Sequence, residues 1–312
     1  MTPTNEGIIL SCVGGRYTVL CDGRRHSCYA KGSLRHAGIK PVCGDRVLFV
    51  EGVSFPDDGT PLPPSTDNDG YLCEVLPRKS LLRRPPIANI DTLLIFTAAA
   101  NPAPDTTYID RLSVCAILSG IQPILVCNKS DLAPTIAQNL IETYQNAGIP
   151  AFAISAGKEQ DLDIRQLKER LEGKITAMAG FSGVGKTTFF NLLFPEEKGI
   201  VGELSQKLAR GKNTTRTTQL YSLSRSVLQV NGLFADTAGF SRLELSRLDE
   251  IKAEDLPFYF PEFEPYLTKC RFTKCTHKTE LGCAIRQAVE ENAIPTSRYE
   301  SFLTFLQELN KK

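Results

Sequence analysis

Gly180-Phe181-Ser182-Gly183-Val184-Gly185-Lys186-Thr187-Thr188 fits the phosphate-binding pattern G-x-x-x-x-G-K-[ST]. Its flanks supply the context the pattern needs. Ile175-Thr176-Ala177-Met178-Ala179 is a short apolar strand candidate, and Thr188-Phe189-Phe190-Asn191-Leu192-Leu193 reads as the first turns of a helix. A strand, a glycine turn and a helix N-terminus aim backbone N–H groups and the helix dipole at one anion. In such a loop Lys186 reaches the outer phosphates and the Thr187 hydroxyl binds Mg²⁺. The stretch predicts a nucleoside-triphosphate site at the edge of an α/β sheet.

Upstream of the loop, strands alternate with helices, the pattern of a doubly wound parallel sheet. Asp91-Thr92-Leu93-Leu94-Ile95-Phe96-Thr97 is a buried strand, residues 108–118 a helix, and Pro123-Ile124-Leu125-Val126-Cys127 the next strand. That strand ends in Asn128-Lys129-Ser130-Asp131, an N-K-x-D motif at a carboxyl edge, where open α/β sheets bind ligands. The Asp131 carboxylate can accept both N1–H and N2–H₂ of guanine, which adenine cannot supply together. Asn128 is expected to hydrogen-bond the base and the loop, and the Lys129 stem to pack along the ring. One strand later, the backbone N–H of the Ser155-Ala156 pair can meet the guanine O6. Together with the phosphate loop these motifs point to GTP or GDP rather than to an ATPase or kinase site.

Downstream, residues 205–218 are polar, basic and poor in helix formers, as befits a loop. In a GTPase one threonine here closes on Mg²⁺ and the γ-phosphate; Thr215 is the first choice and Thr214 the alternative. Residues 228–235 read as a strand entering Asp236-Thr237-Ala238-Gly239, a D-x-x-G motif. Asp236 would hold Mg²⁺ through water and the Gly239 N–H would touch the γ-phosphate, giving a second switch. The expected magnesium set is thus Thr187, Thr215 and Asp236, with Lys186 and Gly239 completing the catalytic group. The order is unusual: N-K-x-D and S-A precede the phosphate loop instead of following D-x-x-G. The domain is circularly permuted, and D-x-x-G feeds directly into the C-terminal segment.

Ahead of this domain, residues 7–50 alternate as short strands broken by Gly14-Gly15, Asp22-Gly23 and Gly44-Asp45, residues 56–70 read as a loop rich in Pro, Asp, Thr and Gly, and residues 71–76 make a last strand. Five strands in this length predict a small barrel, the OB type. Arg16, Arg24, Arg25, Lys31, Arg35, Lys40 and Arg46 suggest a basic face, with Tyr17 and Tyr29 available for stacking on RNA. Cys12, Cys21, Cys28, Cys43 and Cys73 lack ligand spacing and read as small core residues. After the permuted domain, Cys270, Cys275, His277 and Cys283 form C-x4-C-x-H-x5-C, a donor set for one structural Zn²⁺ with no open position. The predicted architecture is multidomain α/β: an OB-type barrel over 1–86, a circularly permuted P-loop GTPase domain over 87–241 and a helical zinc-knuckle domain over 242–312.

The 312 residues, 42% hydrophobic and 23% charged, describe a globular chain, and a net charge of +1 excludes a uniformly basic binder. Met1-Thr2-Pro3-Thr4-Asn5-Glu6 has neither a positive nor an apolar leader region, and no apolar run approaches membrane-span length, so neither secretion nor a membrane partner is expected. Ten cysteines beside a nucleotide site argue for thiols in a reducing cytoplasm.

With these residues in view, the chain resembles the RsgA (YjeQ) family of circularly permuted GTPases acting on the small ribosomal subunit. The likeness rests on Arg83-Arg84-Pro85-Pro86-Ile87-Ala88-Asn89-Ile90-Asp91, the permuted motif order and the Cys270/Cys275/His277/Cys283 knuckle. It implies that barrel, GTPase and zinc domains jointly clamp the maturing subunit and its rRNA, that the particle stimulates hydrolysis, and that the factor leaves after GTP is cleaved; a monomer is expected. Two departures stand out. Where the family's first switch reads G-R/K-H-T-T-T, this chain has Gly211-Lys212-Asn213-Thr214-Thr215-Arg216; and Phe240 follows D-x-x-G, where many GTPases carry a glutamine. Asn213 cannot act as a base, though it can orient water. These residues predict GTP binding with slow intrinsic hydrolysis; the alternative is a nucleotide-gated RNA-binding factor with negligible catalysis.

Overall fold

A computed structural model of the chain describes residues 4–58, 68–83, 85–156, 162–197, 218–236 and 250–311. Strands β1 (Asn5–Val13), β2 (Arg16–Cys21) and β3 (Arg24–Ala30) form an antiparallel meander. A short helix, α1 (Gly32–His36), leads to β4 (Arg46–Val50), β5 (Ser54–Pro56) and β6 (Gly70–Val75). β6 pairs parallel with β3 and antiparallel with β4, and β4 returns to β1, so the order β1-β2-β3-β6-β4 closes on itself. This is the five-stranded OB-type barrel. Alternation puts every second side chain inside, and Ile9, Val19, Cys28, Val47, Phe49 and Leu72 are fully buried there.

The barrel's charges are more spent than their count suggests. Arg25 is buried and pairs with Asp57 at 3.7 Å and Asp58 at 3.3 Å. Arg16 reaches Asp69 at 3.5 Å, and Arg46 pairs with Glu6 at 2.5 Å. Asp57, Asp58 and Asp69 therefore neutralise Arg25 and Arg16. Tyr17 packs into the barrel core and offers no stacking face. Of the residues expected to make a basic face, Arg24, Lys31, Lys40 and Arg46 are exposed, the last of them paired with Glu6.

After a hairpin of β7 (Leu81–Arg83) and β8 (Pro86–Ala88), the chain alternates: β9 (Thr92–Ala98), α2 (Thr106–Leu118), β10 (Gln122–Asn128), α3 (Pro134–Asn146), β11 (Ala151–Ala153), α4 (Leu162–Leu171), β12 (Lys174–Gly180) and α5 (Lys186–Leu193). A β-hairpin follows, β13 (Gln219–Ser222) and β14 (Gly232–Asp236), and later come α6 (Ala284–Glu290) and α7 (Thr296–Leu309). The predicted strand at 228–235 begins only at Gly232. Among the described residues no helix is long and apolar enough to cross a membrane.

The chain gathers into two compact units and passes between them within β9, α4, β12 and α5 and again after residue 240. The first holds residues 1–92, 165–178 and 189–240; the second holds 93–164, 179–188 and 241–312. In the first, β12 pairs parallel with β14, β14 antiparallel with β13, and Ser11 of β1 pairs with Gln219, making barrel and sheet continuous. Rings of Phe189, Phe190, Phe194, Tyr221 and Phe234 fill its sheet face, with neighbouring centroids 5.0–6.4 Å apart.

In the second unit β9 is buried along its whole length and β10 pairs parallel with β11. Its other core joins Val114 and Cys115 of α2 to Leu256, Phe260, Phe263, Phe302 and Phe305 of the C-terminal segment. Within that core Arg298 is wholly buried. It donates from Nε to Glu262 and from Nη1 to Asp110, both at 2.7 Å, and from Nη1 to Ser113 Oγ at 3.2 Å. Tyr144 donates to the same Asp110 oxygen at 2.6 Å.

Candidate functional site

The phosphate loop joins β12 to α5 as expected. Its backbone is possible only because of its glycines: Gly180 has φ +145° and would place a Cβ 2.2 Å from the Phe96 carbonyl oxygen. Gly185 has φ +96° and would place one 2.0 Å from Asn128 Nδ2. Lys186 donates its ammonium to the carbonyls of Gly180 and Phe181 at 2.7 Å each. Burial pushes its pKa down to about 8, since the charge is poorly solvated until an anion joins it. Ser182, Thr187 and Thr188 are exposed at the loop's mouth, and the buried Val184 anchors it. Phe181 stacks on Tyr108 of α2 with centroids 3.8 Å apart, a contact that no sequence signal disclosed.

Asn128 is the hub of this region. Buried at the end of β10, it donates from Nδ2 to the Val184 carbonyl at 2.9 Å. Its Oδ1 accepts the N–H of Lys129 at 2.8 Å and of Ala156 at 3.0 Å. One amide thus ties the phosphate loop, the N-K-x-D turn and the S-A loop together. Ala156, expected to offer its N–H to a base, gives it to Asn128 here. Lys129, in the left-handed region at φ +56°, sends its ammonium to the carbonyls of Gly183, at 2.8 Å, and Asn101. Ser155 Oγ donates to Asp131 Oδ1 at 2.9 Å, fixing the carboxylate beside the opening.

These residues line a cavity of about 260 Å³ whose wall includes Lys129, Asp131, Leu132, Ser155, Ala156 and Thr188. Its lining combines the Asn128 amide, the Lys129 side chain and the Asp131 carboxylate. A flat, hydrogen-bonding ring with adjacent N–H donors suits that arrangement. The structure brings together Asn128, Lys129, Asp131, Ser155, Ala156 and residues 180–188. Asp236 ends β14; Asn213, Thr214, Thr215 and Gly239 lie outside the described residues. The exposed Leu132, missed in the sequence reading, was signalled only by being apolar directly after N-K-x-D.

The C-terminal cluster is equally compact. Donor atoms of Cys270, Cys275, His277 and Cys283 all lie within 4.8 Å of one another. His277 presents Nδ1 to the sulfurs of Cys283 at 3.4 Å and Cys270 at 3.6 Å. Tetrahedral Zn²⁺, with bonds of about 2.3 Å to sulfur and about 2.0 Å to nitrogen, sets donors roughly 3.3–3.8 Å apart, so the residues fit that ion. Burial lowers the pKa of His277 and favours the neutral, ligating ring. The turn is held by Glu280, which accepts from Thr276 N and Oγ1 at 2.7 and 2.6 Å and from Lys278 N at 3.0 Å, and by Tyr299, which donates to the His277 carbonyl at 2.6 Å.

Known proteins share this organisation. The RsgA N-terminal domain model matches residues 6–52 and the RsgA GTPase model residues 75–246. Small ribosomal subunit biogenesis GTPase RsgA of Carboxydothermus hydrogenoformans is 38% identical over 304 residues, covering 97% of both chains. The protein of that name from Geobacillus sp. WCH70 is 36% identical over 312 residues, covering 98% of both. Among solved structures, YjeQ from Thermotoga maritima superposes with a TM-score of 0.77 at 30% identity, covering 99% of this chain and 100% of that one. The permuted motif order, the closed barrel at its N-terminal side and full-length likeness at this identity agree, and the chain belongs to the RsgA family of circularly permuted GTPases.

Proposed function

We propose that this GTPase binds GTP and GDP at the residue 128–131, 155–156 and 180–188 cluster and serves late maturation of the small ribosomal subunit; its relatives are named for small ribosomal subunit biogenesis. The observation that carries the nucleotide reading is the convergence of three motifs on the Asn128 amide. Asp131 would select guanine, the loop N–H groups and Lys186 would hold the phosphates, and Thr187, Thr215 and Asp236 would hold Mg²⁺. That ion supplies neutralisation of the phosphate charge that grows during hydrolysis. Lys186 keeps a proton at its ammonium against the β- and γ-oxygens, and Asn213 orients the attacking water.

Functionally the chain divides into a barrel at 1–86 that meets rRNA, a GTPase domain at 87–241 and a zinc domain at 242–312 carrying one structural Zn²⁺. It acts as a cytoplasmic monomer on the subunit. GTP turnover measured with and without purified small subunits tests this: a rise of at least about tenfold is expected, and an unchanged rate refutes the ribosome-linked reading. A nucleotide-gated RNA-binding factor with negligible catalysis is the second reading, favoured by Asn213 and Phe240 in place of the family histidine and the common glutamine. Asn213→His discriminates: faster turnover supports a lost catalytic histidine, and an unchanged rate removes that account.

A further inference from the structure

The barrel carries a second group of metal-binding side chains, far in sequence from the knuckle. Cys21 closes β2, His26 sits in β3, and Glu51 follows the last residue of β4. The antiparallel register sets His26 opposite Val19 and Arg24 opposite Cys21. Cys21 and His26 are therefore diagonal neighbours on the same, inward face of the hairpin. The Cys21 sulfur, a ring nitrogen of His26 and a carboxylate oxygen of Glu51 all lie within 4.8 Å of one another.

Two features set this group apart from a chance meeting. His26 is 3% exposed, wedged edge-on against Phe49 with centroids 5.1 Å apart, and its enclosed Nδ1 has no hydrogen-bond partner among the described residues. Buried ring nitrogens are ordinarily satisfied, so an unpartnered one on a ring that sits beside a thiol and a carboxylate points to a lone pair that a cation can take up. The other two donors are oriented by neighbours, as metal ligands commonly are: Asn5 Nδ2 donates to Glu51 Oε1 at 2.5 Å, and the Cys21 thiol points to Asp22 Oδ2 at 3.7 Å.

We propose that Cys21, His26 and Glu51 form a second metal site that takes a borderline-soft divalent cation of the Zn²⁺ class, with the fourth position left to water. Sulfur, imidazole and carboxylate together select such an ion over Mg²⁺ or Ca²⁺. Donor separations of about 3.3–3.8 Å in a tetrahedral site require these side chains to draw in by at most about 1.5 Å, which the exposed Glu51 can supply. The ion would pin the β2–β3 hairpin to the end of β4, at the mouth of the barrel. The reading is independent of the nucleotide site and of the knuckle.

Zinc content of the full chain, equilibrated with zinc chloride and desalted, is the test, together with competition against a chromophoric chelator. Two zinc ions per chain are expected. Cys275→Ser should remove the knuckle ion and leave the barrel ion, whereas Cys21→Ser should do the reverse. Because Glu51 is exposed, Glu51→Gln leaves the barrel core untouched, and it should weaken the second ion at least about tenfold, since loss of even an outer partner costs that much. Cobalt substitution gives a second readout: Cys21→Ser removes one thiolate-to-cobalt charge-transfer contribution, and Glu51→Gln shifts the ligand-field bands without removing it. One zinc per chain at saturation, or a second zinc bound with unchanged affinity by the Cys21→Ser/Glu51→Gln double variant, overturns the proposal.

Discussion

Replacing Arg298 by methionine should strip the second unit of much of its stability. The guanidinium lies between two carboxylates whose side chains are 0% and 1% exposed, Asp110 and Glu262, with contacts of 2.7 Å to each. It also stands 4.8 Å above the Phe260 ring and 5.6 Å above Tyr144. Methionine fills much of the same volume, so the packing term is small. What remains is a pair of buried charges, one with only the Tyr144 hydroxyl to serve it. Breaking one side of a buried ion pair costs about 3–5 kcal/mol. Taking about 4 kcal/mol, the protection of α7 amides against hydrogen exchange should fall by about three orders of magnitude, since each decade is about 1.4 kcal/mol. With a urea slope of about 2 kcal/mol/M, the unfolding midpoint should drop by about 2 M. Exchange at residues 296–309 reports this unit by itself. The triple variant Arg298→Met/Asp110→Asn/Glu262→Gln, which leaves no charge unpaired, should recover at least half the loss. A protection loss under tenfold in the single variant would refute the account. A triple variant as unstable as the single one would show that packing, not charge, carries the effect.

At the nucleotide site, Gly185→Ala meets both a left-handed φ and a 2.0 Å approach to Asn128 Nδ2, so affinity for a fluorescent GDP analogue should fall at least about a hundredfold; near-native binding would contradict the loop geometry. Lys186 gives a pH dependence. Its free-state pKa is depressed to about 8 and bound phosphates raise it, so binding takes up a proton above that pH. Affinity should be level below pH 8 and fall by up to about tenfold per unit above it, with the slope gone in Lys186→Arg; a flat wild-type profile to about pH 9.5 would dismiss this. Asp131→Asn retains the oxygen that accepts from Ser155 but loses the charge facing guanine, so GTP binding should weaken by about 10- to 100-fold and xanthine nucleotides should gain; kept GTP preference in competition titrations would reject the base assignment. Cys275→Ser should release the knuckle ion and lower the melting temperature of the C-terminal segment, and an unchanged melt would mean the cluster adds nothing to its fold.

The sequence carried the local chemistry and hid the long-range pairings. The strand-forming run Tyr17-Thr18-Val19-Leu20-Cys21, closed by Asp22-Gly23, was enough to predict β2, whose burial alternates although Leu20 on the outer face is apolar. Closure through the parallel β3–β6 pair was less legible, since its partners, such as Cys28 and Gly70, are 42 positions apart and no local pattern encodes it. Charge was the most misleading signal. Arg16 and Asp69 are 53 positions apart, and Arg298 and Asp110 are 188 apart, so composition listed their charges without pairing them. The same distance concealed the Cys21, His26 and Glu51 group: Cys21 and His26 straddle the Asp22-Gly23 turn visibly enough, but Glu51 arrives only when the barrel closes. The late start of β14 has a local cause. Gly232 adopts φ +128° close against the Lys174 carbonyl, and the strand cannot extend back through that turn.

Asn128 also explains how a permuted chain can retain a GTPase site. Its amide joins Val184, 56 positions away, to Ala156, 28 positions away, by hydrogen bonds alone. None of these bonds depends on which motif comes first. The base loop and the phosphate loop are held in register by one buried side chain that must be satisfied at both ends, and an unmade bond there would cost about 1–3 kcal/mol. Cutting the chain elsewhere leaves that constraint intact. What the rotation alters is what each motif is joined to. N-K-x-D now lies upstream of the phosphate loop, while Asp236-Thr237-Ala238-Gly239 runs straight into the segment that carries Arg298 and the Cys270/Cys275/His277/Cys283 cluster. In this order Gly239 stands 31 positions before Cys270 and 59 before Arg298, so the D-x-x-G motif leads into a segment that the ion pairs of Arg298 with Asp110 and Glu262 hold to α2.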